Sequence, residues 1–214
     1  MSKKQTSVVH DTVIITLITV VAGLLLGIVH GITAAPIAAQ EAQAKADSQK
    51  EVFSDAASFK EVDNFDEKGF ASYLDKLGLD QTTVSEVSEA EDANGNALGY
   101  VVDAANNEGY GGEIELMVGI KTDDSGNLTI NGISFLSISE TAGMGMKAEK
   151  PEFKDQFNNM NIGDNKQIAY TKNGKSADNE IDAISGCTIT TNAVTKAVNG
   201  ALAAVEYLEG GSAS

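Results

Sequence analysis

Two kinds of apolar pattern divide the chain. Between positions 12 and 40 no Asp, Glu, Lys or Arg interrupts the sequence, and VIITLITVVAGLLLGIV (13–29) is apolar almost throughout. As a helix rising about 1.5 Å per residue, 13–35 is long enough to cross a hydrocarbon core of roughly 30 Å. Lys3 and Lys4 flank it on one side and acidic residues follow from Glu41, so the positive-inside rule predicts a cytoplasmic N-terminus. A cleaved signal peptide, processed near Ala34 or Ala38, is the alternative. The apolar stretch exceeds the usual signal core of about 7–15 residues, which favours an uncleaved single-pass anchor in the cell (inner) membrane. Thr16, Thr19, Gly23 and Gly27 offer a small-residue packing face, or are simply the small residues common in membrane helices.

Past the span the apolar residues recur at short, changing intervals. Segment 36–60 is polar and Ala-rich, a helix or linker. Helical periodicity over 65–80 ends at a glycine. Alternating runs on either side of Asn94-Gly95 predict a β-hairpin. Residues 111–139 predict two or three more strands around DDSGN and Asn131-Gly132 turns, and Asn173-Gly174 predicts another hairpin. A short amphipathic helix over 151–160 has Pro151 near its first turn. The last element, 192–208, places Ala193, Val194, Ala197, Val198, Ala201 and Leu202 on one helical face. The expected organisation is a cytoplasmic N-terminus (1–11), a transmembrane helix (12–35), a linker or helix (36–60) and an extracytoplasmic domain (61–210). That domain is α+β, with a twisted, mostly antiparallel sheet and packed helices.

Composition narrows the chemistry. The net charge is −16, from 31 acidic against 15 basic residues, which disfavours nucleic acid and anionic surfaces as partners. One cysteine and two histidines exclude an internal disulfide and argue against a metal or iron–sulfur site. Both histidines, His10 and His30, flank or lie in the span, so 61–210 has no nucleophile–histidine–acid set and no catalytic residue is expected. Gly174-Lys175-Ser176 resembles a P-loop end, but Ala169 stands where its upstream glycine is needed. DDSGN lacks the acidic spacing of a calcium loop.

The segment DAISGCTITT (182–191) is different. It brings hydroxyls and a glycine to a helix entrance, where free N–H groups and the dipole favour an anion. Gly186 admits close approach, and Ser185, Thr188, Thr190 and Thr191 supply hydroxyls. The alternative is that Thr190 or Thr191 only caps the helix.

Residues 182–188, Asp-Ala-Ile-Ser-Gly-Cys-Thr, resemble the Asp-x-x-Ser/Thr-Gly-Ala-Thr flavinylation signature of the FMN-binding domain family. GYGGEIELMVGI (109–120) and ETAGMG (140–145) are similar to two further family motifs, the second written Glu-Thr-Pro-Gly-Leu-Gly. With the anchor, this order resembles the G subunits of Rnf-type ion-translocating electron-transport complexes, and also the C subunits of sodium-translocating NADH:quinone reductases. The resemblance implies FMN joined by a flavin transferase to Thr188 as a phosphodiester, with Asp182, Ser185, Gly186 and Cys187 as the signature. It further implies cofactor roles for Glu140, Thr141, Gly143, Met144, Gly111 and Gly112, with Glu140 either ordering its loop or simply a surface acid, and other membrane subunits of an Rnf-type complex as partners. Met144, Met146 and Leu116 are candidates for the apolar slot of the isoalloxazine, with ordinary packing as the alternative for the methionines. Gly111 and Gly112 either let a strand pass beside the cofactor or form a bulge or turn. Cys187 stands where alanine is usual, Ala142 where proline is, and Met144 where leucine is. The resemblance thus implies a redox subunit relaying electrons within a ferredoxin:NAD ion-translocating oxidoreductase, without substrate turnover of its own. A reductase electron-inlet module and a non-redox anchored binding module are the rival readings.

Overall fold

The computed structural model describes residues 2–211 apart from 64, 124, 164 and 165. The chain divides into two compact units, Met1–Ala44 and Lys45–Ser214.

A single helix, α1 (Ser2–Val52), provides the first unit and ends in the second. It is long and apolar enough to cross a membrane. Its helical content runs through Pro36 and past the expected boundary at 35. The hydroxyls of Thr12, Thr16 and Thr33 donate to the carbonyls of Val8, Thr12 and Val29 at 2.8–2.9 Å. Each of these polar groups is therefore satisfied within the helix itself, as an apolar solvent requires.

The second unit is built on a six-stranded antiparallel sheet in the order β1-β2-β3-β4-β5-β6. The strands are β1 (Ser58–Glu61), β2 (Thr82–Glu91), β3 (Ala97–Gly109), β4 (Gly112–Thr122), β5 (Leu128–Ile138) and β6 (Met160–Asn161). Two hairpins of the same construction set the register. In DANGN (92–96) the Asp92 carboxylate accepts the N–H groups of Asn94 and Asn96 at 2.7 and 2.9 Å, and the Asn96 amide as well. In the β4–β5 turn Asp123 does the same for Ser125 and Asn127. Gly95 and Gly126, at φ 81° and 80°, take the left-handed position that closes each turn.

One sheet face is covered by α4 (Thr188–Glu206) and α2 (Glu67–Lys76). Period-2 alternation sends Val102 and Ala104 of β3, and Ile114, Leu116, Val118 and Ile120 of β4, to this face. Helix α4 meets them with Ala193, Val194, Ala197, Val198, Ala201 and Leu202, all fully buried. The other face carries Val101 and Met117 and is covered by Val52, Phe53 and Ala56. This second face is partly polar. Lys45 pairs with Glu86 at 2.5 Å and approaches Asp103 at 3.6 Å, and the Asn131 amide donates to the Val52 carbonyl at 2.5 Å.

Several elements differ from their sequence signals. Asn131-Gly132 lies inside β5, not in a turn: Gly132 pairs with Gly119, next to a register shift, and Asn131 is engaged with Val52. The pair marks an irregularity in the ladder. Asn173-Gly174 does not make a hairpin either. The flanking strands β7 (Ala169–Thr171) and β8 (Glu180–Asp182) pair in parallel, with Ala169 opposite Glu180. The intervening chain folds back, held by the Glu180 carboxylate, which accepts from Ser176 N–H, Ser176 O–H and Ala177 N–H. The helix expected over 151–160 is only α3 (Pro151–Lys154), with Pro151 at the start, followed by a 3₁₀ turn over Asp155–Phe157.

Candidate functional site

The start of α4 is shaped by one tight loop. Cys187 N–H donates to the Ile184 carbonyl at 2.9 Å, closing a turn whose third residue, Gly186, sits at φ 77°. That conformation suits glycine, as in a type II turn. Helix α4 then begins at Thr188, a full turn earlier than the apolar periodicity indicated, and no side chain caps it. The expected capping by Thr190 or Thr191 does not occur, because both lie inside the helix. Thr191 is fully buried and works backward: its hydroxyl accepts the Ile184 N–H at 3.1 Å and donates to the Cys187 carbonyl at 2.9 Å. The loop is thus pinned to the helix that follows it, and the first-turn N–H groups are left uncapped.

Beside this turn lies a cavity of about 440 Å³ lined by Tyr110, Glu140, Thr141, Met144, Gly145 and residues 186–190. Three chain segments therefore meet: the β3–β4 turn, the loop after β5, and the start of α4. Glu140, only 8% exposed, joins the first two, its Oε1 accepting the Tyr110 N–H at 2.8 Å. Gly111 fits the same junction, since a Cβ there would lie 2.1 Å from the Ser139 carbonyl oxygen. Among the described residues outside α1, the exposed large apolar side chains are Tyr110, Met144 and Ile189, and all three line this cavity. An apolar rim with hydroxyls and free N–H groups at one end suits a flat aromatic ligand bearing an anionic tail.

Of the residues singled out from sequence, Glu140, Thr141, Met144, Gly186, Cys187, Thr188 and Thr190 line the cavity. Cys187 is buried and forms no disulfide. Gly111 follows Tyr110 in the β3–β4 turn and Gly112 starts β4 at φ 119°, so these glycines form a turn. Gly143, at φ 75°, shapes the loop without lining the cavity. Asp182 and Ser185 face a neighbouring groove with Lys147 and Lys150, and Asp182 is held there through its backbone by Gln156. Leu116 is fully buried in the sheet core, and Met146 is half-buried away from the lining, so neither belongs to the slot. Tyr110, Gly145 and Ile189 lie within the segments quoted from the sequence but carried no role of their own there. A tyrosine between glycines, and an isoleucine off the apolar stripe of α4, were their signals.

Residues 109–203 match the FMN-binding domain family. The relatives are more specific. The chain is 34% identical to the G subunit of the ion-translocating oxidoreductase complex of Methanosarcina acetivorans, over 98% of both chains. It is 31% identical to the G subunit of the Na(+)-translocating ferredoxin:NAD(+) oxidoreductase complex of Acetobacterium woodii, over 87% of this chain and 86% of that one. A proton-translocating counterpart from Clostridium ljungdahlii is 32% identical over 98% and 97%. The chain belongs to the family of ion-translocating oxidoreductase complex G subunits. Among solved structures, the C subunit of the Na(+)-translocating NADH-quinone reductase of Parabacteroides distasonis is similar over 70% of this chain and 75% of that one, at 26% identity and TM-score 0.45.

Proposed function

We propose that this chain is a membrane-anchored electron carrier of an ion-translocating ferredoxin:NAD oxidoreductase, holding FMN through a phosphodiester on Thr188. Helix α1 anchors it, with the N-terminus cytoplasmic and 61–210 outside. The observation that carries the reading is a convergence on one cavity: Thr188, an uncapped helix start, and every exposed large apolar side chain described in the second unit. Thr188 is half-buried at the first helical position. A phosphodiester there keeps one negative charge, which the first-turn N–H groups and the helix dipole stabilise. Tyr110, Met144 and Ile189 give the ring system apolar contact, and the flavin supplies the electron chemistry when bound. The chain contributes attachment, orientation and electrostatics, with other membrane subunits as donor and acceptor and a flavin transferase for maturation.

The test is co-expression of the full-length chain with a flavin transferase, followed by intact mass and in-gel fluorescence after denaturation. Wild type is expected to gain the mass of one FMN less water, and Thr188→Ala none. Covalent flavin retained by Thr188→Ala overturns the residue assignment, and wild type without flavin overturns the carrier reading.

A further inference from the structure

Among the described residues, the lining of the cavity carries one carboxylate, Glu140, and no lysine or arginine. That carboxylate is 8% exposed, accepts the Tyr110 N–H at 2.8 Å, and packs so tightly on Gly145 that a Cβ there would sit 2.6 Å from its Oε2. It is therefore fixed in place, with little water to screen it and no cation in the same wall. Lys147 and Lys150 lie in the neighbouring groove.

We propose that Glu140 tunes this site: it positions Tyr110 and, by a charge that no lysine or arginine of the lining offsets, lowers the reduction potential of the flavin bound beside it. The inference rests on the flavin reading of the cavity. A bound flavin ring that takes up two electrons from a redox partner and one proton from solvent would carry one negative charge. A fixed carboxylate in the wall opposes that charge and so favours the oxidised form. The same field would offset part of the stabilisation that the α4 N-terminus gives the cofactor phosphate, and so would weaken reversible binding. A covalent bond on Thr188 removes that penalty from occupancy, because a tethered ligand stays at high effective concentration. The charge can then act on the potential without emptying the site.

The experiment compares the full-length, flavin-loaded chain in detergent with its Glu140→Gln, Glu140→Asp and Glu140→Ala variants. The potential is read by dye-equilibrated titration at fixed pH, alongside flavin content and melting temperature. Glu140→Gln keeps an acceptor for the Tyr110 N–H and loses the charge. Per bound flavin, it is expected to favour the reduced form on the order of tenfold, a rise of about 30 mV for a two-electron couple. Glu140→Asp retains the charge and the wild-type potential. Glu140→Ala loses both functions, melting lower as well as shifting its potential. An unmoved potential in Glu140→Gln, or an equal rise in Glu140→Asp, overturns this inference alone. Wild type without flavin overturns it together with the carrier reading.

Discussion

Thr191 is the hinge pin of the loop that presents Thr188, and Thr191→Val tests whether it is. Valine matches threonine in shape but has no hydroxyl. The Ile184 N–H, in a residue 8% exposed, then loses its acceptor, now at 3.1 Å. A buried donor left unpaired costs about 1–3 kcal/mol. The second lost bond, to the Cys187 carbonyl, matters less because that oxygen also accepts the Thr191 N–H at 3.0 Å. The sum is about 2 kcal/mol, or about 4–8 °C in melting temperature for a domain of this size. Thr191→Ser keeps the hydroxyl and gives up one buried methyl, about 1 kcal/mol. The assay is thermal unfolding of the full-length chain in detergent, followed by near-UV tyrosine dichroism so that α1 does not mask the transition. Hydrogen exchange at the Ile184 amide adds a local reading and should accelerate in Thr191→Val only. A valine variant melting within about 1 °C of wild type, with Ile184 equally protected, refutes the reasoning.

Two predictions concern pH. Burial is the largest influence on Asp103 and pushes its carboxyl above the usual range, against a partial offset from Lys45 and Ser85. Its contribution to stability is present below the unfolded value and lost as pH rises through the raised folded one. Asp103→Asn should therefore gain stability over wild type at pH 7 and lose that advantage in acid, as denaturant titrations at the two pH values will show. In the DANGN turn the side chain and N–H of Asn96, with Asn94, hold Asp92 down at about 2. Its stabilisation is present above the unfolded value of 3.8 and lost as pH falls toward 2, so carboxyl-detected NMR should find Asp92 titrating below an unfolded-chain aspartate and unaffected by Lys45→Ala.

The sequence by itself determined whatever depends on neighbours along the chain. An uncharged apolar run is a membrane-length helix wherever it is placed, since its own hydrogen bonds satisfy its backbone. The DANGN and DDSGN turns are legible because Asp92 and Asp123 bond N–H groups two and four residues away. The loop 182–188 is legible for the same reason, its glycine and hydroxyls serving a turn that closes within a few residues. Tertiary structure decided the rest. Asn131-Gly132 has turn chemistry, yet pairing with β4 and the Val52 carbonyl holds it in a strand. Asn173-Gly174 likewise gives way to a parallel pairing fixed by Glu180 and Asn179. The cavity is non-local in the same sense. Tyr110 and Glu140 are thirty positions apart and meet through one hydrogen bond, while Ile189 is an exposed apolar residue whose role depends on what stands opposite it. Local chemistry specifies turns and helices, but only packing brings three loops together around one cavity.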